Sequence, residues 1–132
     1  MQTDTRTIAL YAAIIFLSSA LVLVLEMVAA RLIAPFVGVS LYSWTAIIGT
    51  VLAGLSIGNW IGGVMADRKA SQRAAGFVLL AAAASAFLIL LILPRIAGPI
   101  QTSDLSLAGS SLALTMALFF LPALLLGIVT PL

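Results

Sequence analysis

Cysteine and histidine are absent from this sequence, and charged residues are scarce. Without cysteine the chain can form no disulfide bond, and without either residue it offers no thiolate or imidazole to a metal ion. The lack of histidine also removes the side chain that most readily exchanges a proton at neutral pH. Disulfide scaffolds, cysteine or histidine metal sites and histidine-based catalysis are therefore excluded, and we expect no bound metal or cofactor.

Charge is too sparse to cover the outside of a water-soluble domain. Only 8% of the 132 residues are charged and 64% are hydrophobic, whereas soluble domains average about 25% charged and about half apolar. The excess apolar surface must face a lipid bilayer. The net charge is only +2 and the six basic residues are scattered, so nucleic acid is not an expected partner.

Four long apolar runs occupy most of the chain, at residues 8–33, 43–65, 74–93 and 107–129. Each has about 20 residues or more, enough to cross a hydrocarbon core of about 30 Å at about 1.5 Å per residue. No run alternates with a period of two, as the strands of a membrane barrel would. The sequence predicts an all-α integral membrane protein, with one domain over residues 1–132 and four antiparallel transmembrane helices in a bundle.

The basic residues predict the orientation of the bundle. Arg6 precedes the first run, and Arg68, Lys69 and Arg73 crowd the second connection. We expect the chain to lie in the inner membrane of the cell. By the positive-inside rule, both termini and this connection then face the cytoplasm. Trp44 falls at the opposite boundary of the membrane, where aromatic rings are favoured.

Glycine recurs on one face of the second helix. Gly54, Gly58 and Gly62 are spaced by four residues, so they line a groove that has no side chains. Helices in lipid associate through close backbone approach and packing. We predict that this glycine zipper forms a tight helix contact, and that the third helix offers the matching smooth surface at residues 81–86. A sliding surface used in a transport cycle is the alternative.

Glu26 and Arg31 interrupt the end of the first run. Glu26 lies roughly 9 Å from the middle of the helix, whereas Arg31 reaches the headgroups. Five residues turn about 140° around a helix, so the two side chains do not share a face. A carboxylate at this depth must be paired, hydrogen-bonded or protonated. Glu26 is therefore either a proton- or cation-binding group or half of a structural ion pair with Arg31 or Arg95.

Other polar residues in the runs supply candidate partners. In an antiparallel bundle, Thr50 and Thr115 fall at the depth of Glu26. Asn59 lies in the other half of the second helix, where it either forms an interhelical hydrogen bond or lines a cavity. The candidate substrate- or ion-binding residues are Glu26, Arg31, Asn59 and Thr115.

The connection "GVMADRKASQR", residues 63–73, contains a second pattern. Gly63, Asp67, Arg68 and Arg73 match the loop between helices two and three of major facilitator transporters, although the second glycine and the basic residue after it are replaced. The alternative is ordinary anchoring of a basic loop at the cytoplasmic headgroups.

The stretch "LEMVAARLIAPFVGVSLYSWTAIIGTVLAGLSIGNWIGGVMADR", residues 25–68, resembles the membrane region of spermidine-synthase-like proteins, including major facilitator–spermidine synthase fusions. The shared elements are a Glu and an Arg five apart, then Pro, Gly and Trp, then a glycine-rich helix that runs into an Asp-Arg turn. Here these elements are Glu26, Arg31, Pro35, Gly38, Trp44, Gly54, Gly58, Gly62, Gly63, Asp67 and Arg68, with Pro122, Gly127 and Pro131 in the fourth run.

The resemblance implies a transport-type or partner-binding membrane module, with a polyamine or another small cation as substrate. In the fused members, aminopropyl transfer would belong to a soluble nucleotide-type domain. This chain has no strand–glycine loop–helix pattern and only four acidic residues, so we expect no enzyme activity. Four helices resemble part of a major facilitator half, which is built from three-helix repeats. The chain would be either a truncated product or a minimal protein completed as a homo-oligomer or by a larger membrane protein or complex.

Two other interpretations stay open. The first is a homodimeric small multidrug-type, proton-coupled exporter that uses Glu26, since such proteins have four helices and an essential glutamate in helix one. Against it, their glutamate lies nearer the membrane centre, and the third run has only Phe77 and Phe87 where an aromatic pattern is expected. The second is an accessory subunit that packs on a larger membrane complex through the glycine face.

Overall fold

In a computed structural model the described residues form four helices and no strand. The structure describes residues 4–69, 71–102, 104 and 106–132, with only the backbone at 69 and 101. The helices are α1 (Thr5–Val37), α2 (Leu41–Lys69), α3 (Gln72–Gln101) and α4 (Leu107–Val129). All four are long and apolar enough to cross a membrane. The predicted all-α, four-helix membrane fold is confirmed.

Three helices extend beyond the apolar runs, and α3 differs most. We predicted its end at residue 93, but the helix continues through Pro94 and Pro99. A proline removes only one backbone hydrogen bond, which a long membrane helix tolerates. α1 likewise passes through Pro35, whereas α4 has the predicted bounds of 107–129.

The connection between α1 and α2 is a short turn at Gly38. This residue has φ of 77°, a left-handed conformation that favours glycine. Its N–H donates to the carbonyl of Ala34 at 2.8 Å, and its carbonyl accepts a hydrogen bond from Ser43 Oγ at 2.9 Å. The turn is thereby tied to both helices, which leave it antiparallel.

α4 is the central helix of the bundle. It packs on the three other helices, most extensively on α2 and then on α3, and it is the most buried of the four spans, whereas α1 is the least buried. Among the described residues, no packing contact joins α2 to α3. The short connections predict that successive helices pack side by side. This prediction is wrong for α2 and α3, because α3 joins the bundle mainly through α4.

The glycine face of α2 packs on α4. A Cβ atom added at Gly54 would lie 2.8 Å from that of Ala123, and one added at Gly58 would lie 2.9 Å from Gly127 Cα. Gly62 lies next to Ile128. Since the contacts advance together along both helices, α2 and α4 run parallel, as the second and fourth members of an up-and-down bundle should.

The alanine-rich segment of α3 does not meet the glycines. Ala82, Ala83 and Ala86 line a cavity together with residues of α1 and α4. The prediction that α3 supplies the partner surface was wrong, because α4 carries its own stripe of small residues at the same spacing of four, Ala123 and Gly127.

This arrangement gives the bundle two distinct ends. The Asp67 end holds the start of α1, the turn between α2 and α3, and the end of α4. The Trp44 end holds the Gly38 turn and the connection between α3 and α4.

Candidate functional site

A groove between α1, α2 and α4 gathers polar side chains within the membrane-spanning region. Its volume is about 370 Å³. Its apolar lining is Val22, Leu23, Leu55 and Leu126, and its polar lining is Ser18, Ser19, Asn59 and Thr130. The groove lies in the half of the bundle nearer the Asp67 end.

The glycine contact explains why Asn59 lies at the groove. Gly58 holds the backbone of α2 against α4, and the next residue is turned by about 100° around the helix. Asn59 is thereby placed at the edge of that contact, where the groove opens between α2 and α1. The serines come from the facing stretch of α1, Ser18 buried and Ser19 exposed.

The polar side chains of the groove have no hydrogen-bond partner among the described residues. Asn59 is exposed, and neither its amide nor the hydroxyls of Ser18 and Ser19 form a side-chain hydrogen bond with any residue that the structure describes. Within the described ranges of the chain, Asn59 does not form the interhelical hydrogen bond that we considered. An asparagine side chain has two donors and one oxygen acceptor, so the groove offers free hydrogen-bonding capacity.

Glu26 continues the polar edge of α1. It lies seven residues beyond Ser19, which is two helical turns on the same face, and it is half-buried. Within the described chain, neither Arg31 nor Arg95 forms an ion pair with its carboxylate. The structural ion pair considered from the sequence is therefore not formed among the residues that the structure describes.

Arg31 faces a different cavity from the groove. This cavity, of about 180 Å³, lies at the Trp44 end, and Arg31 lines it together with Gly38 and Trp44. Arg31 is exposed there. Glu26 and Arg31 thus diverge around α1, as their spacing predicts.

Thr115 does not belong to the groove. It is fully buried, and its Oγ1 donates a hydrogen bond to the carbonyl of Ser111 at 2.6 Å. It lies about three helical turns from Leu126, the nearest groove residue of α4. Thr50 is also buried in the bundle, and its Oγ1 has no hydrogen-bond partner in the described part of the chain.

The loop motif lies at the Asp67 end, outside the groove. Asp67 and Arg68 are exposed at the end of α2, and Arg73 is exposed in the first turn of α3. The backbone N–H of Arg73 donates to Ser71 Oγ at 3.3 Å, which caps α3. A Cβ at Gly63 would meet nothing within 4 Å, so this glycine is not part of the contact with α4.

Sequence reasoning missed Ser18, Ser19 and Thr130. The spacing of seven between Ser19 and Glu26 was the available signal, since it places both on one face of α1. Thr130 had no such signal, because its position depends on how α4 packs against α1.

Comparison with known proteins finds no relative of this chain. No family model, curated protein or solved structure matches the chain. Function is therefore inferred from the groove and from the resemblance carried by residues 25–68.

Proposed function

We propose that the chain is a non-catalytic, multi-pass membrane protein of transport type, and that the groove between α1, α2 and α4 binds its substrate. One observation carries this proposal: Ser18, Ser19 and Asn59 lie in the membrane-spanning region without a hydrogen-bond partner among the described residues. Polar groups at that depth normally face a partner or a water-filled path, and they mark substrate pathways.

A small cation, with a polyamine as the favoured example, is the proposed substrate class. The groove offers hydroxyl and amide oxygens, and no cationic side chain is among the described residues that line it. Glu26 adds a carboxylate on the same edge of α1. A volume of about 370 Å³ suits a small molecule, since ligand pockets begin at about 300 Å³. The resemblance to spermidine-synthase-like proteins supports the same class.

A partner-binding role is the second candidate. Asn59 is exposed at the open side of the groove, and Trp60 beside it is 72% exposed. An amide open to lipid is unfavourable, so a helix from a larger membrane complex could cover it.

Flux through proteoliposomes tests the transport role. We expect the protein to carry labelled spermidine, and Asn59→Leu to reduce its initial rate roughly tenfold, because an apolar side chain of similar size removes the hydrogen bonds that replace hydration of the ammonium groups. Glu26→Gln should lower the rate by a smaller factor, since Glu26 lies two turns from Ser19 and is not among the residues that line the groove.

Ser56→Leu is the matched control, since Ser56 lies one turn from Asn59, is also exposed, and does not line the groove. Its rate should stay within a factor of two of wild type. Absence of flux for every cation tried, or equal rates for the two leucine variants, would overturn the transport proposal.

We infer further that both termini and the α2–α3 turn face the cytoplasm, because Arg6, Arg68 and Arg73 lie at the Asp67 end. The natural absence of cysteine makes the test direct. In intact cells, a membrane-impermeant maleimide should label Val39→Cys, which is highly exposed at the Trp44 end, and leave Gln72→Cys unlabelled. Both should react after lysis. Labelling of Gln72→Cys in intact cells would reverse the orientation.

A further inference from the structure

The second half of the first helix carries two opposite charges that no described part of the chain neutralises. Glu26 is half-buried within the membrane-spanning region, and Arg31 is exposed one and a half turns farther along. Charged side chains within a membrane helix normally pair with one another or face a wet interior. Both charges are therefore available to groups outside this copy of the chain.

The outer face of α1 has the spacing of a helix-pairing surface. Phe16, Leu23 and Met27 are 72%, 63% and 69% exposed, and Ala20 lies between the first two. Leu23 is also at the edge of the groove. The four residues have a spacing of four, three and four, which is that of the d and a positions of a heptad repeat. We name these four residues the α1 stripe. The buried residues of α1 lie on the opposite side of the helix.

Glu26 and Arg31 flank this stripe at heptad positions whose side chains meet between two paired helices. With Leu23 at d and Met27 at a, Glu26 occupies a g position and Arg31 the e position of the next heptad. In a parallel helix pair, a g residue faces the e residue of the next heptad on the other helix, and opposite charges there form interhelical salt bridges. We propose that two copies of the chain form a parallel, two-fold dimer through the α1 stripe, in which Glu26 of each copy pairs with Arg31 of the other.

Charge complementarity, and not the apolar stripe alone, selects a second copy as the occupant. Lipid chains would cover Phe16, Leu23 and Met27 equally well. Glu26 and Arg31, however, lie about 140° apart around α1, too far to pair easily within one helix but placed on the two flanks of the stripe. A two-fold axis forms the Glu26–Arg31 pair twice, once on each side of the interface, as an isologous interface requires. The small Ala20 between larger residues permits close approach of the two backbones.

A charge-exchange experiment tests the pairing itself. Differently tagged copies of the full chain are expressed together, and co-purification in mild detergent is measured. Glu26→Arg alone sets like charges across the interface, as does Arg31→Glu alone, so each should reduce self-association tenfold or more. In a mixture, the Glu26→Arg copy has arginine at positions 26 and 31, and the Arg31→Glu copy has glutamate at both positions. Opposite charges then face each other at both pairs, so association should return to near the wild-type level. Restoration only in the mixture cannot arise from pairing within one helix.

Cysteine cross-linking gives a second measurement, in which no charged residue is substituted. Leu23→Cys, on the stripe, should form a disulfide-linked dimer in native membranes under mild oxidation. Leu21→Cys is the matched control, because Leu21 is 48% exposed and of the same type but lies on the α3 side of α1. It should remain monomeric.

The proposal is overturned if the mixed charge variants associate no better than either alone, with both inserted at wild-type levels. It is equally overturned if Leu23→Cys and Leu21→Cys cross-link to the same extent, or if Leu23→Cys links only to a different protein. These readouts do not involve transport. A dimer that shows no flux would overturn only the proposed function. Flux from a monomer would overturn only the proposal of a dimer.

Discussion

Replacement of Gly58 by alanine is expected to separate α2 from α4 and to lower the free energy of unfolding by about 3 kcal/mol. The new Cβ would overlap the carbonyl oxygen of Leu124 and lie 2.9 Å from Gly127 Cα and 3.0 Å from Ile128 N. All three are backbone atoms, so no side-chain rotation relieves the overlap and one helix must move. This displacement would disturb the largest helix contact in the bundle.

A single cysteine in the interior measures this effect. Ser111 is fully buried, so Ser111→Cys reacts with a thiol reagent only when the bundle opens. A loss of about 3 kcal/mol should raise the labelling rate in mixed micelles by roughly 100-fold, at about 1.4 kcal/mol per factor of ten. Gly63→Ala is the control, because a Cβ there meets nothing within 4 Å. Equal labelling rates for the two alanine variants would contradict the packing of α2 on α4.

The number of helices was predictable because it depends on run length alone. Four apolar stretches of about 20 residues leave few alternatives in a bilayer. Helix ends were less predictable, since Pro94 and Pro99 look like terminators in sequence but lie inside α3. In lipid an unpaired carbonyl is costlier than in water, so the chain stays helical past a proline wherever it can.

The partner of the glycine face could not be deduced from spacing. Residues 81–86 of α3 and the pair Ala123 and Gly127 of α4 both present small side chains to a neighbour. The short connection between α2 and α3 favours α3 as the partner, but α4 packs on both helices and no described contact joins α2 to α3. Local pattern identifies a surface that permits close approach, whereas the choice between two such surfaces depends on how all four helices pack together.

The members of the candidate site were identified only in part. Asn59 and Glu26 were proposed because a polar side chain in an apolar run is conspicuous, and of the two only Asn59 lines the groove. Thr115 was grouped with Glu26 by depth alone, but its hydroxyl is satisfied by the carbonyl of Ser111 in its own helix, which short hydroxyl side chains readily allow. Ser18 escaped notice because a serine in a membrane helix has the same option.

Phe119 is the side chain whose removal should most weaken the interior of α4. It is fully buried and is the largest such side chain in the described chain. Phe119→Ala should lower the free energy of unfolding by about 2–3 kcal/mol, read from the labelling rate of Ser111→Cys as a rise of roughly 30- to 150-fold. Phe87→Ala is the matched control, since Phe87 is 66% exposed and should change the rate less than threefold.

The size of the expected loss for Phe119→Ala depends on the lipid that surrounds the helices. In a water-soluble protein, replacing a buried phenylalanine by alanine costs about 3–5 kcal/mol, of which part is transfer from water. In a bilayer the helices separate into lipid, so Phe119 leaves one apolar environment for another and the transfer contribution nearly vanishes. The cavity contribution persists: roughly 100 Å³ at about 24 cal/mol per Å³ gives about 2.4 kcal/mol. Lipid fills any space left by Phe87. Equal losses for both variants would mean that packing within the bundle contributes little to its stability.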